Sequence, residues 1–188
     1  MTRPVIPIPK TPSPPFPLLV KRAPIIAGFG RGSSAIGCPT ANIPIEALSE
    51  ADKLDTGVYF GWCKIHPVDT QKDVHQRQDG TQVEFKYGDG LRKEVDINTV
   101  LPMVMSLGWN PFFKNKEKAA EIHVIHKFPE TFYGAELTFN ILGYIRPELD
   151  YTSVESLIKD IGIDIEVAKD SLATEGYQSY KEQVHNVK

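Results

Sequence analysis

Residues 56–65 read TGVYFGWCKI. On a strand, successive side chains go to opposite faces. Val58, Phe60 and Trp62 therefore point one way, and Tyr59, Gly61, Cys63 and Ile65 the other. Neither face is polar. A strand that is apolar on both sides is covered on both, as in a closed barrel. The flanking sequence repeats the two-residue rhythm. In 101–109, Met103, Met105 and Leu107 alternate with Val104 and Ser106. In 119–128, Ala120, Ile122 and Val124 form an apolar face, with Glu121 and His123 on the other side. Residues 135–145 put Leu137, Phe139, Ile141 and Ile145 on one face, and 17–29 runs as a strand, interrupted by Pro24, into a glycine-rich turn. Five or six strands separated by turns, with no helices between them, predict an antiparallel barrel or sandwich rather than a parallel doubly wound sheet.

The remaining segments are read against that core. Residues 1–17 are proline-rich and predict an extended tail. Residues 66–99 are polar and turn-rich, which predicts a solvated insert in which 81–85 forms one arm of a hairpin. Val154, Leu157, Ile158, Ile161, Ile165, Ala168 and Leu172 step by three and four, the helical pattern. Thr152 and Glu155 suggest a capping box. Gly162 and Asp164 suggest that one helix stops and a second, capped by Asp164, begins. Residues 174–188 show no apolar stripe and are expected to fray.

The chain has 188 residues, enough for one domain with a core. A net charge of −3 and the lack of a basic, aromatic-studded strand face argue against a nucleic-acid partner. Two cysteines, Cys38 and Cys63, make no disulfide framework. No run of about 18 apolar residues predicts a membrane span. Prolines interrupt the N-terminus where a secretion signal would need a helical core. The expectation is a cytoplasmic monomer.

The chemistry concentrates in 28–43, GFGRGSSAIGCPTANI. Gly28, Gly30 and Gly32 allow a turn whose backbone N–H groups can cradle an anion, although glycines serve ordinary hairpins too. No lysine follows as in a Walker A loop, and Pro39 prevents the helix that a dinucleotide fingerprint needs. Thr40 and Asn42 are two apart, so on an extended segment they share a side. Their oxygens suit Mg²⁺, and the same residue types also cap turns. Glu121 is a carboxylate in an apolar strand, placed either to orient and deprotonate a hydroxyl or simply to face solvent. His123 and His126 have odd spacing, which sets them on opposite faces and argues against a shared zinc ion. Arg146 ends a strand, within reach of a phosphate, a ribityl group or a surface carboxylate.

These stretches, with SLGWNPFFKNKEKAAEIHVIH (106–126), FYGAELTFNILGYIRPE (132–148) and SVESLIKDIGIDIEVAK (153–169), follow one another as in riboflavin kinases. The chain resembles that family, in its monofunctional eukaryotic form, over 18–173 apart from the insert at 66–99. The resemblance implies a six-stranded antiparallel Greek-key β-barrel with C-terminal α-helices. It implies transfer of the γ-phosphoryl group of ATP to the 5′-hydroxyl of riboflavin, giving FMN and ADP. It implies an ATP-phosphate loop at Gly28, Gly30, Arg31, Gly32 and Ser34, and Mg²⁺ or Zn²⁺ on Thr40 and Asn42. Glu121 matches the catalytic carboxylate, and Arg146 falls in the region that meets the flavin. Ser34 departs from a lysine that family members often carry there and that contacts ATP. Only 27 residues precede Gly28, too few for the nucleotidyltransferase domain that makes FAD in bacterial relatives, so kinase activity alone is expected. A non-catalytic flavin- or nucleotide-binding barrel is the competing reading. It would need neither Glu121 nor the Thr40–Asn42 pair.

Overall fold

The computed structural model describes residues 3–27, 40–76, 80–109 and 118–188. The strands among these are β1 (Leu18–Pro24), β2 (Thr40–Ile43), β3 (Gly57–His66), β4 (Asp73–Gln76), β5 (Gln82–Phe85), β6 (Leu101–Trp109), β7 (Lys118–Val124), β8 (Glu136–Ile141) and β9 (Gly143–Arg146). Helices α1 (Val154–Leu172), α2 (Glu175–Gln178) and α3 (Lys181–His185) follow. Among the described residues no helix is long and apolar enough to cross a membrane.

The main sheet is antiparallel, ordered β1-β8-β3-β6-β7-β2, with β9 also paired to β3. It curls until its ends meet, where Ile26 N–H donates to the Asn42 carbonyl at 2.9 Å. All ten residues of β3 are buried. Tyr59, Cys63 and Ile65 face the interior with Met103, Met105, Leu107, Ile122 and Phe139. Val58, Phe60 and Trp62 face outward with Val104, into a second cluster built with Leu142, Ile145, Ala168, Leu172, Tyr177 and Val184. The helices thus cover the outside of the barrel. This is why β3 lacks a polar face. At Gly61 a Cβ would overlap the Asn140 carbonyl oxygen, so only glycine lets β3 and β8 approach here.

Several local expectations are corrected by long-range packing. Helix α1 is continuous through Gly162, whose missing side chain leaves only open space. Its N-cap is Ser153, whose Oγ accepts from the Ser156 N–H at 3.1 Å. Asp164 does not start a second helix. It is buried inside α1 against Arg146. The strand expected over 135–145 breaks between β8 and β9, and a register irregularity beside Val58 puts Ile145 in the outer cluster. Residues 174–188 do not fray. Trp62 Nε1–H donates to the Tyr177 carbonyl at 3.0 Å, and Lys64 Nζ donates to the carbonyls of His185 at 2.9 Å and Val187 at 2.6 Å.

The N-terminal tail is extended and docked on the helices. Arg3 reaches Asp164 at 2.7 Å, and the Tyr177 hydroxyl donates to the Pro9 carbonyl at 2.8 Å. The insert contains the β4–β5 hairpin, but it is not wholly solvated: Val83, Phe85, Leu91 and Ile97 are buried.

Candidate active site

Register across the curled sheet sets the geometry of the site. Thr40 is the cross-strand partner of His123, and Asn42 of Glu121. Glu121 in turn pairs with Ser106, Ser106 with Val58, and Val58 with Arg146. Directly opposed residues share a face. Asn42, Glu121, Ser106, Val58 and Arg146 therefore make one row across five strands on the outer face of the barrel. At a strand spacing of about 4.8 Å, Glu121 and Arg146 stand roughly 14 Å apart along that row. Thr40, His123, Val104 and Phe60 make the adjoining row. The polar groups cluster at the β2–β7 end, where Thr40 and Asn42 lie beside Glu121 and His123.

Burial grades across the cluster. Thr40 is 5% exposed. The side chain of Glu121 is 37% exposed and that of His123 only 9%, so the carboxylate reaches solvent while the imidazole is walled in. Burial pushes the His123 imidazole down to about 4, so it is neutral near pH 7. Its Nε2 stands 3.9 Å from Glu121 Oε1, beyond hydrogen-bond range. Thr40 and Asn42 offer a hydroxyl and an amide oxygen on one face, a hard neutral donor set that fits Mg²⁺ completed by water and phosphate oxygens. Among the described residues no three His, Cys, Asp or Glu side chains gather as a metal cluster. The glycine-loop positions Gly28, Gly30, Arg31, Gly32 and Ser34 lie outside the described residues.

Arg146 closes the other end of the row. Its guanidinium grips Asp164 through Nε at 2.9 Å and Nη2 at 2.9 Å, and Nη1 donates to the Pro147 carbonyl at 3.2 Å. The Tyr151 ring lies 5.7 Å away. Three of five N–H donors are thus used among the described residues, leaving two. His126, read from sequence only as a rejected zinc ligand, bonds through Nε2 to buried Asp96 at 2.7 Å. Asp96 also accepts from the Arg92 backbone N–H at 2.9 Å and side chain at 2.8 Å, which holds its carboxyl well below the usual range. Reasoning from sequence alone missed Asp164 as the partner of Arg146 and His123 as the neighbour of Thr40. The Glu-x-His spacing on β7 was the available signal for the second.

The flavokinase family model, described as riboflavin kinase, matches residues 19–172. A riboflavin kinase of Lodderomyces elongisporus is 54% identical over 186 residues, covering 98% of this chain and 100% of that protein. One from Kluyveromyces lactis is 53% identical over 177 residues, covering 93% of this chain and 95% of its own. The crystal structure of riboflavin kinase from Trypanosoma brucei superposes with a TM-score of 0.58 at 21% identity, covering 89% of this chain and 87% of that one, a likeness of fold. The chain belongs to the riboflavin kinase family, whose reaction is the ATP-dependent conversion of riboflavin to FMN.

Proposed function

We propose that the phosphoryl transfer takes place at the β2–β7 end of the outer row, with Glu121 as the catalytic carboxylate and Thr40 and Asn42 as the cation ligands. The observation that carries this reading is the register: Asn42 opposite Glu121 and Thr40 opposite His123, on one face. Thr40 and Asn42 would hold Mg²⁺, which when bound offsets charge on phosphate oxygens. Their hard oxygens give no reason to prefer Zn²⁺.

Phosphoryl transfer depends more on alignment and charge than on covalent chemistry. Glu121 accepts a hydrogen bond from the riboflavin 5′-hydroxyl and holds it in line with the γ-phosphorus. The bond from that oxygen to phosphorus forms as the bond from phosphorus to the ADP oxygen breaks. An alcohol is far too weak an acid to be ionised beforehand by a carboxylate. Its proton passes to Glu121 late, as the new bond develops, so Glu121 is as much an orienting group as a base. By resemblance to the family, the ATP phosphates would fall to the glycine loop at Gly28–Ser34, which lies outside the described residues.

By resemblance to the family, Arg146 would stand at the flavin end of the row. Its distance from Glu121 is of the order spanned by a tricyclic ring and a five-carbon chain. FMN formed from riboflavin, ATP and Mg²⁺, separated chromatographically for the native chain and for Glu121→Gln, tests the reading. FMN from the native chain alone supports it, and equal FMN from both removes Glu121 from the chemistry.

A further inference from the structure

Among the described residues, His123 Nδ1 is a buried side-chain polar atom with no hydrogen-bond partner. Such atoms are uncommon, because leaving one unmatched costs about 1–3 kcal/mol. This one lies inside the proposed site. His123 is two residues beyond Glu121 on β7, opposite Thr40 on β2 and Val104 on β6.

A neutral imidazole carries one N–H and one lone pair, and its surroundings choose between the tautomers. With the proton on Nδ1, a donor would be buried unmatched and the Nε2 lone pair would face the Glu121 carboxylate. With the proton on Nε2, the N–H faces Oε1 at 3.9 Å and Nδ1 becomes an acceptor. The second tautomer is favoured at both ends. Hydrogen bonds of this kind are often long before substrate binds and tighten in the complex.

An acceptor at Nδ1 calls for a donor. Thr40, the cross-strand partner of His123, carries a hydroxyl that is not bonded to Nδ1 in this structure. A threonine that turns an oxygen lone pair toward a cation must send its proton elsewhere.

We propose that His123 is a positioning residue for the transfer, with Nε2–H orienting the Glu121 carboxylate and Nδ1 accepting from the Thr40 hydroxyl while the Thr40 oxygen faces the cation. The proposal rests on the reading of Glu121 and Thr40 given above. It explains why a polar ring is placed, with its Nδ1 left without a partner, on a strand face otherwise walled by Val104 and Phe60.

Three substitutions separate the two ring nitrogens. His123→Leu keeps bulk and removes both functions. His123→Gln returns an amide near Nε2, and His123→Asn one near Nδ1. His123→Leu is expected to lower kcat by about 10- to 100-fold, the usual effect of losing a group that orients a ligand or catalytic side chain, with little change in riboflavin KM. His123→Gln recovers much of that kcat. His123→Asn recovers Mg²⁺-dependent ADP binding, read by calorimetry without turnover.

In the Glu121→Gln background His123→Leu should have no further effect on kcat but should still weaken Mg²⁺-dependent ADP binding. Unchanged kcat and ADP binding in His123→Leu would overturn the proposal. So would equal losses in all three variants with lowered melting temperatures, which would mean a packing role. If Glu121→Gln proves fully active, the reading of Glu121 fails by itself. The Thr40 half of the proposal then stands or falls on the ADP binding of His123→Leu and His123→Asn.

Discussion

Asn42 and Glu121 lie directly opposite one another on β2 and β7, joined by a ladder that also sets Thr40 against His123. A slip of one residue would send all four side chains to the barrel interior, where Ala41, Ile43, Ile122 and Val124 now sit. The apolar face that fills the core therefore also fixes the site. Core substitutions on β2 or β7 should disturb activity before they unfold the chain. Ile122→Ala is expected to cost about 2–5 kcal/mol and to lower kcat in the protein that remains folded. Urea unfolding alongside turnover below the transition checks both parts.

Removing a proposed cation ligand should change the metal requirement rather than the fold. Thr40→Ala and Asn42→Ala are each expected to raise the Mg²⁺ concentration needed for half-maximal turnover by about 10-fold or more, one tenfold being about 1.4 kcal/mol of lost binding. The readout is a Mg²⁺ titration at saturating ATP. An unchanged midpoint in both would remove the pair from metal binding.

Arg146 and Asp164 are an ion pair with side chains 5% and 2% exposed, and Arg3 adds a second cation at 2.7 Å. Asp164→Ala leaves Arg146 buried without its carboxylate, so the expected loss is about 3–5 kcal/mol by denaturant midpoint. Arg3→Ala should cost much less, because Arg146 still holds Asp164.

The docked tail makes a prediction with a change of sign. A Cβ on Gly176 would overlap the Lys10 carbonyl oxygen. Gly176→Ala in the intact chain should therefore destabilise by about 1–3 kcal/mol through overpacking. With residues 3–10 deleted the clash is gone, and alanine's better helix propensity should stabilise α2 by up to about 1 kcal/mol. Melting temperatures of the four combinations decide it.

The sequence made the barrel readable where one strand's own pattern suffices. The two faces of β3, and the alternation of Met103, Met105 and Leu107 with Val104 and Ser106, appear in the structure as the inner and outer clusters. It misled where a residue answers to a distant partner. Asp164 has the composition of a helix cap, but Arg146 claims it from β9. Tyr177 and Val184 are too sparse to form a stripe, yet each fills the cover over β3. At the site, Thr40, Asn42 and Glu121 stood out as residue types. Their alignment did not, because register between β2 and β7 is a property of the folded sheet.

Two histidines should make stability fall in mild acid. Burial, then the charges of Arg22 and Lys64, depresses His66 to about 4, and burial alone depresses His123 to about 4. Arg22 Nη1 donates to His66 Nδ1 at 3.2 Å, and His66 Nε2 pairs with the Thr138 hydroxyl at 2.7 Å, so the fold holds this ring neutral. Below a pKa of about 6.5 the unfolded chain binds protons that the folded chain refuses. Stability should be level above about pH 7, fall between roughly 6.5 and 4, and lose about 1.4 kcal/mol per histidine for each unit of depression. Chemical denaturation from pH 8 to pH 5 measures the slope. A flat profile would contradict the neutral burial of both rings.

The most direct test of the central claim is single-turnover transfer from ATP to riboflavin by Glu121→Gln, with riboflavin binding followed in parallel by flavin fluorescence. The account predicts riboflavin affinity close to native and transfer slowed by about 10²- to 10⁴-fold, the range expected for loss of a general base. Transfer within a few-fold of native, with binding intact, would contradict the placement of the chemistry at the β2–β7 end of the row.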